Sequence, residues 1–523
     1  MRELSFANAR VSLGRLPELE PVAEYNIAGR RVLVRGRPGW QVDYPGLAYE
    51  SDPVAVERAL ERALAAWLQD PARPPAMADL SGAFLVLVAD GEELALVLAS
   101  DELPNTVYWW LGEGGLVISD DWRDFTQNID PLAWESYNPE QLAWFSRRKT
   151  CAPGRTYLRG LNRLSPAMLY QAVPQGLAPL AAVLPGPPPD GRVFTWDDLY
   201  DVVGRRVGPG PHSLCYSTGI DSHHLLISLR QSIRDALTIY YASPFQDIER
   251  SQEAAAALVN CLAAAKPYTP VEVDFADPAH RPRLEHHAST DPFAAHYAAS
   301  MYQLFEAAQC STVLSGQNAD TMQFFALTSR MGPRELVFKS PASPQRPLAR
   351  VAFRREAAAS YGGARPGGML DRRMLLGLAD EMNRLTGGQG YWPILQFKRM
   401  HNMITGNTAL FKDAARYTNK TVLFAYLEPL VFYVSAYFRR PMGDILDPKK
   451  HLRRRYHRVE HHAIPLPMGQ GQPFDQSPLF AWAAEGLARL APELKSRLDA
   501  ATGEPLARVV LYVFARLAAA ARG

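Results

Sequence analysis

A short polar segment between two apolar stretches has the composition of an anion-binding turn. It reads Ser217-Thr-Gly-Ile-Asp-Ser222, follows a strand-like stretch at 213–216 and leads into a helix-like stretch. Hydroxyl groups and a glycine at this point can bind phosphate oxygens together with the N–H groups of a first helical turn. Asp221 would repel a phosphate unless a cation lay between them, so the segment also indicates Mg²⁺. The alternative is an ordinary helix cap made of hydroxyl side chains and a carboxylate.

This turn resembles the pyrophosphate loop, Ser-Gly-Gly-x-Asp-Ser, of the ATP pyrophosphatase family. Those enzymes cut ATP between the α- and β-phosphates and adenylate a substrate. Here Thr218 replaces one glycine of the pattern. The resemblance implies that ATP and Mg²⁺ bind at this turn.

A second polar segment, Ser315-Gly-Gln-Asn-Ala-Asp320, also follows a short apolar stretch. It resembles the Ser-Gly-x-Gly-x-Asp segment of the asparagine synthetase and β-lactam synthetase family. The resemblance implies that Asp221 and Asp320 bind Mg²⁺–pyrophosphate from opposite sides, which carboxylates past two strand ends can do. Asn318 and Asp320 are also common turn-forming residues. The implied nucleotide-binding residues are Ser217, Thr218, Gly219, Ile220, Asp221, Ser222, Ser315 and Gly316.

Three further residues are candidates for a catalytic role. Gln317 stands where asparagine synthetases have Glu and β-lactam synthetases have Tyr; it cannot act as a base, but it can hydrogen-bond a substrate amine or acyl group. Lys449 begins a Lys-x-x-Leu-Arg pattern that resembles the late lysine motif of the family, and a cation there would stabilise charge beside the leaving AMP. Lys450 is an alternative register, and a solvated basic helix face is the other reading. Glu428, inside an apolar run, is a desolvated carboxylate or a half-exposed one ahead of Pro429.

Strand and helix patterns alternate after residue 195, and this order predicts a parallel sheet with helices on both faces. The predicted strands are 213–216, 237–241, 268–274 and 312–314, and the predicted helices are 222–232, 247–265 and 294–308. Ligands of such sheets bind at the carboxyl ends of the strands, where both polar segments lie. The part from 196 to 523 resembles the synthetase domain of asparagine synthetases. Residues of about 330–390 read as an insertion, and the tail after 475 reads as helices packed on this domain.

The first 170 residues are predicted to be rich in β-strands. Strand patterns cover 31–35, 83–89, 94–99 and 107–111, with a helix at 53–69. This part resembles the glutaminase-like (Ntn-type) sandwich domain of asparagine synthetases. A working glutaminase needs an N-terminal cysteine, but residue 2 is Arg and the first cysteine is Cys151. The domain is therefore predicted to be degenerate, as a scaffold or as a docking surface, and a linker is predicted at 171–195.

Composition excludes several classes of protein. A net charge of +2 over 523 residues gives no global attraction to nucleic acid or membranes. The four cysteines have no metal-binding spacing and indicate a reducing compartment. The start of the chain lacks a signal-peptide pattern, and the most apolar run is interrupted by Glu428 and Pro429. We therefore expect an α/β protein in the cytoplasm.

The resemblance as a whole implies an ATP-dependent amide ligase that forms AMP. Without a glutaminase, the expected nucleophile is an amine of the substrate itself, which gives a ring. Lasso peptide cyclases, which close a macrolactam in a precursor (core) peptide with a leader peptidase and a leader-binding protein as partners, fit this expectation. A β-lactam or carbapenam synthetase acting on a small amino-acid-derived substrate is the alternative. A binding or assembly protein that has kept the fold without the chemistry is an alternative from another class.

Overall fold

Mostly antiparallel sheets make up the computed structural model as far as residue 182, and a parallel sheet follows. The structure describes residues 3–16, 19–20, 22–36, 39–43, 48–50, 53–70, 80–100, 107–183, 194–217, 219–241, 252–253, 255–257, 259–260, 266–273, 277–294, 298–317, 377–378, 380–386, 396, 407–426 and 477–522. The strands are β1 (Glu3–Ser5), β2 (Ala9–Ser12), β3 (Val22–Ile27), β4 (Arg30–Gly36), β5 (Gly39–Asp43), β6 (Ala48–Glu50), β7 (Leu80–Ser81), β8 (Phe84–Asp90), β9 (Glu93–Ala99), β10 (Tyr108–Gly112), β11 (Gly115–Ser119), β12 (Asn162–Arg163), β13 (Met168–Val173), β14 (Gly176–Ala182), β15 (His212–Cys215), β16 (Ile233–Tyr241), β17 (Tyr268–Val273), β18 (Thr312–Ser315) and β19 (Thr421–Phe424). The helices are α1 (Pro53–Gln69), α2 (Pro139–Arg148), α3 (Trp196–Val207), α4 (Ile220–Ser228), α5 (Arg281–Thr290), α6 (Ala298–Ala307), α7 (Asn407–Tyr417), α8 (Pro478–Leu490), α9 (Pro492–Ala501) and α10 (Pro505–Arg522).

Two sheets of the N-terminal part pack face to face. One has the order β14-β13-β9-β8-β4-β3 and the other the order β1-β2-β11-β10-β12. Buried residues of β8 alternate between two cores, because successive side chains of a strand point to opposite faces. Leu85 and Leu87 join the core that contains Val11 of β2, whereas Val86 and Val88 join the core beneath α1. Helix α1 therefore covers the outer face of the six-stranded sheet.

Helices from the end of the chain cover the outer face of the five-stranded sheet. Tyr108 and Trp110 of β10 face a third core that includes residues of α8, α9 and α10, whereas Trp109 between them faces the inner core. The same third core contains Leu284 of α5. The layers of this part thus run helix, sheet, sheet, helices. We predicted that the tail packs on the synthetase part; it packs on that part and also on the N-terminal part, because α10 is apolar on more than one side.

The parallel sheet has the strand order β17-β16-β15-β18-β19. Cys215 pairs with Leu237 of β16 on one side and with Ser315 of β18 on the other, and Ser315 pairs with Phe424 of β19. All these pairs are parallel, so the carboxyl ends of the strands share one edge of the sheet. The structure confirms a mixed α/β protein with a parallel sheet.

Most predicted elements of the described residues are present with shifted ends. Helix α1 has the predicted bounds, and the predicted strands within the described residues correspond to β4, β8, β9, β10, β15, β16, β17 and β18. The predicted linker at 171–195 is wrong in its first part, since β13 and β14 form a hairpin of the six-stranded sheet. Pro179 is tolerated in β14 because β14 is an edge strand, where one side of the backbone needs no partner.

Some predictions fall outside the described residues. The predicted helix at 247–265 and the insertion at 330–390 are described only in fragments, and most of the apolar run after 426 is not described. Of the helices that the structure describes, none has the length and apolar character needed to cross a membrane.

Candidate active site

The strand order of the parallel sheet creates a crevice between β15 and β18. From β15 the chain moves outward to β16 and β17 on one side, and it then returns to form β18 and β19 on the other side. At such a switch point the connections leave in opposite directions, and ligands of open α/β sheets bind in the crevice at the carboxyl ends. Cys215 and Ser315 are paired neighbours here, so both polar segments found in the sequence begin at the switch point.

The turn after β15 is held by Ser222 from the first turn of α4. The Ser222 hydroxyl accepts the N–H of Ser217 at 3.1 Å and donates to the carbonyl oxygen of Gly219 at 2.9 Å. It also lies 3.1 Å from the Ser217 hydroxyl. The Ser217 hydroxyl also accepts the N–H of Gly219 at 3.4 Å, so both hydroxyls shape the turn, although Ser222 is buried and Ser217 is exposed.

Helix α4 begins at this turn without a side-chain cap. Gly219 is its N-cap, and the first intrahelical bond runs from the N–H of His223 to the Gly219 carbonyl at 3.0 Å. The N–H groups of Ile220 and Ser222 precede that bond, so they have no acceptor within the helix. A Cβ on Gly219 would lie 3.2 Å from the Ser217 hydroxyl, closer than most real contacts. This tight, uncapped turn has the donor groups that suit phosphate oxygens.

The turn after β18 lies against the first turn of α4. A Cβ on Gly316 would lie 3.5 Å from the backbone nitrogen of Ser222 and 3.4 Å from Cδ1 of Leu225. The buried hydroxyl of Ser315 accepts the N–H of Gln317 at 3.2 Å. Two segments about a hundred positions apart in the chain are therefore in contact at the switch point.

Of the carboxylates predicted to bind the metal, only Asp221 is described. It is half-buried in the first turn of α4, where a carboxylate also interacts favourably with the helix dipole. Among the described residues, no group of three or more His, Cys, Asp or Glu side chains is arranged to hold a metal ion. One carboxylate beside uncapped N–H groups suits a Mg²⁺ that is also bound by phosphate oxygens, the usual mode for this ion. The donor set at this turn therefore fits a Mg²⁺–nucleotide.

Four predicted site residues lie outside the described part of the chain. They are Thr218, Asp320, Glu428 and Lys449. Ile220 begins α4, but its side chain is also outside the description. The structure thus brings together Ser217, Gly219, Asp221, Ser222, Ser315, Gly316 and Gln317.

Two histidine–tyrosine pairs stand behind the turn. His223 Nδ1 lies 2.9 Å from the Tyr216 hydroxyl, and His224 Nδ1 lies 2.6 Å from the Tyr426 hydroxyl. All four side chains are buried. Sequence analysis missed Tyr426, although its position two residues beyond an apolar strand, β19, is the same signal that marked the other two segments. These pairs fasten α4 to the ends of β15 and β19.

The Cys215 thiol and the Tyr216 hydroxyl beside the turn are held in their neutral forms. Burial and then the charge of Asp235 raise the pKa of the Cys215 thiol well above its usual range. Burial likewise raises the pKa of the Tyr216 hydroxyl, with a smaller contribution from Tyr268. At neutral pH, therefore, Cys215 is not a thiolate nucleophile and Tyr216 remains a hydrogen-bond donor.

No family model matches the chain, and no curated protein matches it. The described geometry provides anion-binding donors, one carboxylate and close-packed turns, which suit binding of a metal–nucleotide complex.

Proposed function

We propose that the chain is an ATP- and Mg²⁺-dependent amide ligase of the asparagine synthetase superfamily that closes a macrolactam in a peptide. One observation carries the proposal. The turn at Ser217–Ser222 and the turn at Ser315–Gln317 are in contact at the switch point of a parallel sheet. This is the place where a sheet of this order binds a nucleotide.

The proposed reaction has two steps. A carboxylate oxygen of the substrate attacks the α-phosphorus of ATP, and pyrophosphate leaves. An amine of the same peptide then attacks the activated carbonyl carbon, the amine loses a proton, and AMP leaves. The N–H groups at the start of α4, with the Ser217 hydroxyl, would hold phosphate oxygens. Mg²⁺ would neutralise charge on the departing pyrophosphate, with Asp221 and Asp320 as its protein ligands.

The remaining roles follow from the sequence motifs. Lys449 would stabilise the charge that develops beside AMP, and Gln317 would orient the amine or the acyl group. Glu428 is the remaining candidate for a catalytic carboxylate. These residues would complete a site in which the two described turns would bind the nucleotide.

The N-terminal part supports a relative of asparagine synthetases that does not use glutamine. Its two packed sheets agree with the sandwich that the resemblance to a glutaminase-like domain implies. The sequence has no cysteine before Cys151, and burial raises the pKa of that thiol to about 12. A substrate amine is then the more suitable nucleophile than ammonia. The proposed partners are a precursor peptide, a leader peptidase and a leader-binding protein, and the proposed location is the cytoplasm.

Incubation with Mg²⁺-ATP and candidate precursor peptides tests the proposal. The expected result is release of AMP and pyrophosphate, together with loss of one water from the mass of the peptide. Turnover only with small amino-acid-derived substrates would move the assignment to a β-lactam or carbapenam synthetase. Absence of ATP–pyrophosphate exchange with every substrate, with the peptidase and leader-binding protein present, would contradict the ligase assignment.

Replacing Asp221 tests the role of the turn directly. Asp221→Ala should abolish pyrophosphate release, because the metal would lose a protein ligand, while the protein stays folded. Asp197→Ala is a matched control, since Asp197 is also a first-turn carboxylate, in α3. Each change costs at most about 1 kcal/mol of helix-dipole stabilisation. Equal activities of the two variants would remove the metal assignment.

A further inference from the structure

Tyr426 connects the end of β19 to the first turn of α4. Its side chain is completely buried, two residues after the last residue of β19. Its hydroxyl oxygen lies 2.6 Å from His224 Nδ1 and 3.3 Å from the backbone oxygen of Asp221. The hydroxyl thus contacts the main chain of the residue that is proposed to face the metal.

The hydrogen-bond directions in this chain of contacts are fixed by counting hydrogens. A tyrosine hydroxyl has one hydrogen, and the Asp221 carbonyl can only accept. If the hydroxyl donates to Asp221, His224 Nδ1 must be the donor to the hydroxyl oxygen. The order is then His224 Nδ1–H to Tyr426 O–H to Asp221 carbonyl, which requires an imidazole with a proton on Nδ1. The buried imidazole thereby orients the hydroxyl toward the first turn.

The neighbouring pair holds the same turn from the other side. His223 Nδ1 lies 2.9 Å from the hydroxyl of Tyr216, which follows β15. The carbonyl of Tyr216 in turn accepts the Thr238 hydroxyl at 2.6 Å, which anchors it to β16. The first turn of α4 is therefore fixed between two strand ends.

We propose that His224 and Tyr426 are positioning residues, which hold the first turn of α4 so that Asp221 and the N–H groups meet the metal–nucleotide in one geometry. The mechanical part of the proposal, that the two residues hold the first turn of α4 in place, is supported by the contacts alone. The catalytic part, that this placement positions the metal–nucleotide, rests on the proposed function. Neither residue needs to touch the substrate. A shift of about 1 Å in a group that positions a reacting substrate can lower the rate about 100-fold.

Hydrogen–deuterium exchange of the intact chain tests the mechanical part without any activity. Tyr426→Phe should speed exchange of the backbone amides in α4, because the contact with the Asp221 carbonyl is lost. Tyr137→Phe is the matched control: Tyr137 is also completely buried, and its hydroxyl donates to the Pro131 carbonyl at 2.7 Å, far from α4 in the chain. Unchanged exchange in α4 of the Tyr426 variant would overturn the proposal.

Kinetics test the catalytic part. Tyr426→Phe should lower kcat for ATP–pyrophosphate exchange roughly 10- to 100-fold. It should also raise the Mg²⁺ concentration needed for half-maximal rate, which a general loss of stability would not do. Tyr137→Phe should leave both values as in the wild type. Equal Mg²⁺ dependence in the two variants would overturn the positioning of Asp221.

Two substitutions of His224 distinguish the effect of its hydrogen-bond donor from the effect of its size. The amide nitrogen of Asn is as many bonds from the main chain as Nδ1, so His224→Asn keeps a donor for Tyr426, whereas His224→Leu does not. His224→Asn should therefore retain more of the rate than His224→Leu, and the reverse order would contradict the proposed hydrogen bond. If the wild type catalyses no exchange at all, the proposed function fails, and hydrogen–deuterium exchange alone decides the role of the pair.

Discussion

Gly316 lies where the two turns of the candidate active site touch. Its φ angle is not in the left-handed region, so the backbone itself does not require glycine. A Cβ there would meet Ser222 N at 3.5 Å and Leu225 Cδ1 at 3.4 Å, which are ordinary van der Waals distances. The fold therefore tolerates alanine, and a methyl group would occupy space beside the backbone nitrogen of Ser222.

Gly316→Ala should weaken ATP binding while leaving the stability of the fold almost unchanged. We expect the KM for ATP to rise on the order of tenfold, since one added methyl group in a binding pocket changes affinity by about this much. The free energy of unfolding should change by less than about 1 kcal/mol. Steady-state kinetics and denaturant unfolding of the same variant measure the two effects.

Gly204→Ala provides the comparison for this substitution. Gly204 lies in α3, and a Cβ there would meet nothing within 4 Å. The control should gain roughly 0.5–1 kcal/mol of stability from the better helix former, with an unchanged KM. Equal KM values for both variants would show that the Gly316 contact has no part in binding.

Helices α5, α6 and α7 meet around a buried charge at Asp413. The carboxylate lies 3.3 Å from His287 Nδ1 and 3.2 Å from His286 Nε2, and it accepts the Tyr302 hydroxyl. Burial by itself would raise the pKa of Asp413, but the two histidines hold it well below its usual range. Burial alone would lower the pKa of His287, but the hydrogen bond and charge of Asp413, with a smaller effect of Asp291, raise it. The three helices are thus joined by an ion pair in which His287 carries its proton.

Stability should depend on pH through His287. The folded protein binds this proton more tightly than the unfolded chain, so the stabilisation is complete below the usual His pKa of 6.5 and is lost as pH rises through the raised pKa. The free energy of unfolding should therefore fall with rising pH above about 6.5, by no more than about 1.4 kcal/mol per pH unit for one proton. Urea unfolding between pH 5 and pH 9 measures this slope, and His287→Gln should remove it.

His212 should affect stability in the opposite pH direction to His287. Burial lowers its pKa, against a smaller opposing effect of its hydrogen bond to the Val207 carbonyl. The stability linked to His212 is therefore lost as pH falls below about 6.5, and His212→Gln should flatten the acid side of the plot of unfolding free energy against pH.

A His287→Gln variant with the same alkaline slope as the wild type would show that a group other than His287 titrates above pH 6.5.

Helices and strands with a local sequence pattern were predictable, and strands that are recognisable only from the strands they pair with were not. The continuous apolar run of β8 and the helical spacing of α1 are local patterns, so their bounds could be predicted closely. The hairpin of β13 and β14 has Pro179 in an edge strand, and only its pairing with β9 distinguishes it from a linker.

In the candidate site, too, features with a local sequence pattern were predictable and contacts between distant positions were not. Both turns were predicted because hydroxyls, glycine and carboxylates follow strand ends in the sequence. The pair of His224 and Tyr426 is 202 positions apart, and a single sequence carries no signal of such a contact.

At the scale of the whole molecule, the N-terminal part binds the end of α5 and the residues that follow it through their carbonyl groups. Donors from the first 157 residues reach four carbonyl oxygens between residues 289 and 293. The bonds are Trp122 Nε1 and Arg15 Nη1 to Ser289, the Tyr108 hydroxyl to Thr290, the Tyr157 hydroxyl to Pro292 and the Cys151 N–H to Phe293. A buried ion pair of Arg163 and Asp291 at 3.5 Å adds a charged contact. This interface favours the scaffold role among the two that the sequence left open.

Phe514 of α10 lies at the centre of the aromatic contacts that join the parts. Its ring centroid is 4.8 Å from Trp122, 5.5 Å from Tyr157 and 6.0 Å from Phe293. The first two rings belong to the N-terminal part and the third follows α5, so one side chain at the end of the chain contacts both. Loss of Phe514 should therefore weaken both parts together.

Phe514→Ala should lower the free energy of unfolding by about 3–5 kcal/mol, because it removes a completely buried ring and leaves a cavity. Leu490→Ala is the control; Leu490 is 48% exposed at the end of α8, and its loss should cost within about 0.5 kcal/mol. Tryptophan fluorescence is weighted towards the N-terminal part, which contains seven of the ten tryptophans, while circular dichroism follows the helices. If the third core joins both parts, the two signals should shift together to lower denaturant in Phe514→Ala, since coincident transitions indicate one cooperative unit. A shift of the helical signal alone would show that the N-terminal sandwich is stable without α10, and the scaffold role would then have to depend on the hydrogen bonds to residues 289–293.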